Sequence, residues 1–350
     1  MIQPERSPIP LDQAQVEASI DAIARAQLDD GRIPWFPGHH ADPWNHVEAA
    51  MALAVGGRDD AVRRAYDWLR ATQREDGSWP SYVVGDQVTD PTVDANFCAY
   101  IGAGLWHHTV LTGTEELLAE HWEMMERAVD YVCTQQRPGG EITWAVDVHG
   151  KPYHHALLTS TAAIHLSLRC AVLGAELLGH TRAHWREAAE RVAYSVRHRE
   201  HVFESKERWA MDWYYPVLGG AVSGDAAVRR LEDRWEDFVV DGLGVRCVSD
   251  RPWVTAAETC ELVLALDAIG RREPALRLFR DVQWLRVDDG AYWTGAVFPE
   301  RTPYPGDQST YTAAAVVLAA DALAGLTPAS GFFRALHEPA GEGILAADAT

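Results

Sequence analysis

The side chains best suited to chemistry gather in six short stretches, each just ahead of or opening a segment that reads as an apolar helix. They are Asp42, Trp44, Asn45, His46 and Glu48; Asp90 and Asp94; Tyr153, His154 and His155; Trp209, Asp212, Trp213, Tyr214 and Tyr215; Trp253 and Glu258; and Tyr304, Asp307 and Tyr311. The set is strongly acidic and aromatic. Carboxyl groups move protons, while aromatic faces stabilise a developing cation or stack against a sugar ring. Two ligand classes follow: an apolar substrate that reacts through a carbocation, and a saccharide. For a saccharide, two carboxylates from Asp42, Glu48, Asp94, Asp212 and Glu258 would flank the scissile bond, about 5 to 9.5 Å apart according to stereochemistry.

The elements that must position these residues alternate along the chain. Amphipathic helices are expected over 16–26, 60–72, 115–135, 181–197, 225–240 and 273–284. Nearly uncharged helices are expected over 44–55, 94–107, 154–174, 255–269 and 309–323, with a short apolar run at 217–222 and the aromatic cluster 209–215 in the loop before it. A helix that is apolar all round must be covered on all sides, and a ring of such helices wrapped by amphipathic ones supplies that cover. The pattern predicts an all-α fold, a single (α/α)6 barrel of about six helical hairpins over 16–325, with an N-terminal extension 1–15 and a loose C-terminal tail 326–350. No strands are required.

Between the hairpins a motif recurs. Gln73, Asp76-Gly77 and Trp79 are echoed by Gln27/Gly31/Trp35, Gln136/Gly140/Trp144 and Gln283/Asp289-Gly290/Trp293. This pattern resembles the QW repeats of the squalene–hopene cyclase and prenyltransferase superfamily, whose members are α/α barrels and whose repeat fastens an outer helix to the next inner one. The resemblance implies an isoprenoid substrate and proton-initiated chemistry. In that family's DxDD motif the central Asp is the acid, and it corresponds to Asp94, with Thr92 and Ala95 in place of flanking carboxylates. Asp94 is then the expected acid, with Asp90, His46, Glu48 and His154 around it. Asp42, Trp44, Trp209, Asp212, Trp213, Tyr214, Tyr215, Trp253, Glu258, Tyr304, Asp307 and Tyr311 are the expected substrate contacts. The Asp-x-Cys pair of the family's zinc site is missing, and Arg246 and Arg251 are isolated, so neither metal nor cofactor is expected. A carbohydrate-active hydrolase or lyase of the same architecture is the alternative, and a non-catalytic binding toroid the second.

Several of these residues also have plainer uses. Asp42, Asp90 and Asp307 suit caps or turns, and the repeat tryptophans Trp35, Trp79, Trp144 and Trp293 suit buried joints. His107-His108 fits a helix C-terminus, and His198 and His201 have ligand spacing without a third ligand. The charge balance, 31 basic against 51 acidic residues, argues against a nucleic-acid partner. No uninterrupted apolar run is long enough to span a bilayer, although peripheral membrane contact stays open. The N-terminus lacks a secretory layout, so the five scattered cysteines are expected as buried thiols in a cytoplasmic protein.

Overall fold

A computed structural model describes residues 10–337. The uncharged segments form the inner helices α2 (Pro43–Val55), α4 (Ala95–Ala99) continued by α5 (Ile101–Thr112), α8 (Leu158–Leu177), α10 (Ala210–Leu218), α13 (Ala256–Ala268) and α15 (Thr310–Ala324). The amphipathic segments form the outer layer: α1 (Gln13–Ala26), α3 (Asp59–Thr72), α6 (Glu116–Glu120) with α7 (Trp122–Thr134), α9 (Ala183–His198), α11 (Gly224–Asp233) with α12 (Trp235–Phe238), and α14 (Arg272–Asp281). Each inner helix packs on the next in the order α2, α5, α8, α10, α13, α15, and α15 returns to α2. The ring is closed, and the chain is an all-α (α/α)6 toroid.

The loops that lead into the inner helices carry short antiparallel strands, which the sequence reading omitted. A hairpin joins β1 (Tyr82–Val84) to β2 (Gln87–Asp90), and β3 (Val93–Asp94) pairs with β4 (Ala145–Val146). A five-stranded sheet orders β5 (Val239–Val240), β6 (Gly244–Arg246), β7 (Trp253–Thr255), β8 (Gly295–Val297) and β9 (Thr302–Pro303). Crowded side by side at one end of the ring, these loops satisfy their backbone groups by pairing.

The recurrent motif is a lateral joint. The amide of Gln73 donates to Gly77 O and Met124 O, both at 2.9 Å, so it reaches the following outer helix. Gln27 makes the same pair of bonds to Gly31 and Ala61, and Gln136 to Gly140 and Ala188. Gly77 has φ +91°, and a Cβ there would lie 2.3 Å from Arg127 O, so only glycine lets the two backbones meet. The last copy closes the circle on the first outer helix, where Ser19 Oγ donates to Gly290 O at 2.8 Å. The joint therefore ties outer helix to outer helix, and not outer to inner as the resemblance implied.

At the opposite end, residues 326–337 are packed rather than loose. A short 3-10 turn and α16 (Phe332–Ala335) cover α5, α13 and α15, with Phe332, Phe333 and Leu336 buried. Arg334 pairs with Asp267, and Thr327 donates its N–H and hydroxyl to Asp321 at 2.8 Å each. The expected extension 1–15 and tail 326–350 fall partly outside the described residues, and α1 already begins at Gln13. Among the described residues one helix, Leu158–Leu177, is by itself long and apolar enough to cross a membrane, and 83% of its apolar window is buried in the ring. All five cysteines are free thiols, and all but Cys133 are buried.

Candidate active site

Over the first halves of the inner helices, only Trp44, Asn45, Phe97, Thr159, Met211 and Glu258 escape full burial. They sit on five different helices, all in first turns. Solvent thus reaches into one end of the ring and no further, which defines a cleft at the mouth where the loops gather.

Three carboxylates stand at this level. Asp42 caps α2, its Oδ1 accepting Asn45 N at 3.0 Å, and its Oδ2 lies 3.6 Å from His40 Nε2. Asp94 caps α4 through Asn96 N at 2.8 Å, and its Oδ2 accepts the Trp144 indole N–H at 2.6 Å. Burial raises the Asp94 carboxyl to about 7, against the pull of these donors. Glu258, in the first turn of α13, is half-buried. In the ring order α4–α5 and α13 stand opposite each other, so Asp94 and Glu258 approach the mouth from facing walls. Aromatic rings gather beside Asp42 and Asp94: Trp35 stacks on His40 and on Tyr311 at 5.9 and 5.7 Å, and His40 lies 4.0 Å from Tyr82.

Deeper in the ring lie Glu48 and Glu261, 2% and 1% exposed. Glu261 accepts hydrogen bonds from the hydroxyls of Tyr214, Tyr215 and Tyr311. Trp44 packs above them against Tyr100, Tyr215 and Tyr311, with ring centroids 5.8 to 6.4 Å apart. Burial, then the neighbouring Glu261, pushes Glu48 well above the usual carboxylate range.

Other expected site residues fall elsewhere. His46 faces outward and is structural: its Nδ1 accepts Ile33 N at 3.0 Å, its Nε2 donates to Ala65 O at 2.9 Å, and burial lowers it to about 4. It cannot tune an acid in the cleft. The cluster 209–215 is not a loop but the start of α10, so its side chains divide between two faces. Tyr214 and Tyr215 point to the axis. Trp213 stacks on Phe238 at 5.1 Å and donates to Arg230 O, and with Asp212 it lines a separate cavity of about 620 Å3 beside Glu200 and Arg230. Asp212 is occupied there by Thr159, whose hydroxyl donates at 2.6 Å. Trp209 is exposed at the rim, as is Tyr304, whose ring meets Trp253 edge-on at 5.3 Å. Asp307 takes the Thr294 hydroxyl, Asp90 accepts Thr92 N within its own turn, and His154 is exposed against His155.

The sequence reading missed Glu261, Tyr100, Trp35, His40, Tyr82 and the contact of Trp144 with Asp94. Glu261 left a signal, a lone acid one turn after Glu258 inside an apolar run. Trp35 and Trp144 belong to the repeated joints, yet both reach the site. Among the described residues Asp67, Glu120 and His121 bring three ligand atoms within 4.8 Å of one another. Arg63 and Arg70 already pair with both of those carboxylates, so the charges are balanced without a cation.

No model of a known protein family matches the chain. In solved structures the fold recurs at low identity: a wild-type glycosidase superposes with a TM-score of 0.70 at 18% identity, over 91% of this chain and all of that one. A D-mannose isomerase does so with 0.64 at 11%, over 90% and 98%, and an α-amylase from Clostridium perfringens with 0.64 at 11%, over 89% and 99%. These share the toroid. A relative from Mycolicibacterium hassiacum, MMP endo-(1,4)-3-O-methyl-alpha-D-mannosidase, is 49% identical over 327 residues, 93% of this chain and 91% of the relative. That identity overturns the terpenoid cyclase and prenyltransferase resemblance, together with its isoprenoid substrate. The Gln and Gly residues of the joints that suggested it answer a problem of toroid packing, while two of their tryptophans, Trp35 and Trp144, also reach the site. With nearly half its residues shared along almost its whole length, the chain belongs to the family of the MMP endo-(1,4)-3-O-methyl-alpha-D-mannosidase.

Proposed function

We propose that this chain hydrolyses internal α-(1,4) bonds in saccharides built from 3-O-methyl-D-mannose. The observation that carries the reading is the 49% identity to an enzyme of that name. The cleft supports it with carboxylates on facing walls and aromatic rings beside Asp42 and Asp94. Asp94, held near neutrality by burial, donates its proton to the leaving glycosidic oxygen. Glu258, on the facing helix, takes a proton from a water as that water attacks the anomeric carbon. The bond from that carbon to the leaving oxygen breaks, and the attacking water becomes the new hydroxyl. A pair set across the ring leaves room for this water, the arrangement of inverting hydrolysis. Asp42, His40 and Tyr82, beside Asp94, orient sugar hydroxyls.

The test is to follow an α-(1,4)-linked 3-O-methylmannose oligosaccharide by proton NMR during the first turnovers. The expected new reducing end appears first as the β anomer. No cleavage would refute the function, and a first product in the α form would refute the roles given to Asp94 and Glu258.

A further inference from the structure

Glu48, Tyr100, Ala163, Tyr215, Glu261 and Ala315 share a position: each lies five residues past the first residue of its inner helix. They form one complete layer across the ring, and every member is buried. Around the ring the layer reads carboxyl, tyrosine, alanine, then tyrosine, carboxyl, alanine. Ala315 stands between the two glutamates, and Ala163 between the two tyrosines. The small residues leave room for the large polar ones to meet at the axis.

The solvent-reaching residues sit three or four positions higher, so this layer is the first closed surface beneath the cleft. Folding alone gives no reason for it. Replacing buried carboxyls by apolar groups of similar size is commonly neutral or stabilising, and perturbed carboxyls in clefts mark functional sites. One end of the network is also incomplete. Glu261 accepts three tyrosine hydroxyls, whereas Glu48 has only the Trp44 indole and the Tyr100 hydroxyl beside it, and neither its Oε2 nor Trp44 Nε1, one helical turn apart on α2 and both buried, makes a hydrogen bond of good geometry.

We propose that Glu48 and Trp44 form the floor of the sugar site and grip one hydroxyl or ether oxygen of the residue that enters the cleft. This deepens the hydrolytic reading and rests on it for the nature of the ligand. Glu48 faces Asp42 and Trp44 on its own helix, Tyr100 at the junction of α4 and α5, Tyr215 from α10, Glu261 from α13 and Tyr311 from α15; Ala163 of α8 contributes no charge. No cation is among these groups. Three donors favour the charged form of Glu261, while burial and the neighbouring Glu261 favour the proton on Glu48, so Glu48 is the protonated member of the pair in this proposal. The floor then offers two donors, the acid O–H and the indole N–H, with the second carboxyl oxygen as acceptor.

Infrared difference spectra of ligand-free wild type against Glu48→Gln at neutral pH are expected to show a protonated-carboxyl carbonyl band that the variant loses. The band should shift when 3-O-methylmannose or the oligosaccharide is added. Titration calorimetry should find binding weakened roughly 10- to 100-fold in Glu48→Leu and within about threefold of wild type in Glu48→Gln, which keeps a neutral donor and acceptor. Absence of the band, a band indifferent to every sugar, or undiminished binding by Glu48→Leu would each overturn the proposal. If Glu48→Leu does not fold, the band and its shift decide. Failure of the hydrolytic reading is separable, since wild type would then bind sugar and shift the band without releasing product.

Discussion

At the mouth, three of the six inner helices begin on Asp42, Asp94 and Ser309, whose side-chain oxygens accept backbone N–H groups of the first turn. At the far end, Arg169 donates to Leu336 O, Arg334 pairs with Asp267, and His165 and His337 bond Gly219 O and Val217 O at 2.7 and 3.0 Å. Acids at helix N-termini and bases at C-termini both suit the helix dipoles. The ends differ in what remains for a ligand. The caps of the mouth stand beside a cleft that solvent enters, while Arg169, Arg334 and His337 at the far end fasten residues 326–337 in place. On the proposed reading, one end of the same helices serves chemistry and the other serves closure.

Variants at the two ends should therefore fail in different ways. The largest expected effect is Asp94→Asn, which should lower kcat about 10²- to 10⁴-fold by removing the acid. Asparagine caps a helix as well as aspartate, so the melting temperature should hold. A parallel loss of stability would erase the distinction. Next, Phe332→Ala at the closed end should cost about 3–5 kcal/mol in denaturant unfolding yet leave kcat and KM of the folded fraction unchanged. A fall in kcat would mean the ends are coupled. Smaller is Gly77→Ala in the wall, about 1–3 kcal/mol, because the left-handed backbone must strain and the wall must part from Arg127 O. It should leave both ends intact.

The smallest effect is on pH. Asp94 and Asp321 are raised to about 7 and about 6, each by burial. A raised carboxyl stabilises the fold fully below its unfolded value near 4 and loses that contribution as pH climbs through the folded value. Buried His46 and His165, lowered to about 4 by burial, act with the opposite sign, and their contribution is lost as pH falls from about 6.5 towards 4. The two trends offset each other below about pH 6.5, so the melting temperature should decline from there through neutrality. Asp94→Asn should remove the mouth's part of that decline and Asp321→Asn the closed end's. A profile identical in all three proteins would refute the assignment.

The toroid was legible because its signals are periodic. Inner helices without charge, outer helices with a polar face, and a glycine joint repeated four times leave few alternatives. The strands were not legible, since they arise from loops meeting one another and not from any pattern within a loop. Within the site, first-turn residues such as Asp42, Asp94 and Glu258 could be found from their place ahead of apolar runs. Direction could not. His46 and Glu48 are two residues apart on one helix, and their opposite facings depend on where α2 presents itself to the axis. In the same way α10 sends Tyr214 and Tyr215 inward and Trp213 outward, which a reading of 209–215 as a loop could not separate. Nor does sequence alone tell a joint tryptophan such as Trp79 from one like Trp144 that also touches a carboxylate.

The seam between α15 and the beginning of the chain bears on how the protein is made. Thr310 bonds Pro34 O and Trp35 O, and Gly290 meets Ser19, so the final sector of the ring is held by the first. A growing chain that has emitted all but its last hairpin is an open horseshoe, with the apolar flank of α2 waiting for a helix not yet synthesised. Contacts between residues this far apart in sequence form slowly, and exposed apolar surface invites aggregation meanwhile. Completion of the ring is thus tied to the synthesis of α15, and a chain cut short before it would lack both its core and the tyrosine above its floor.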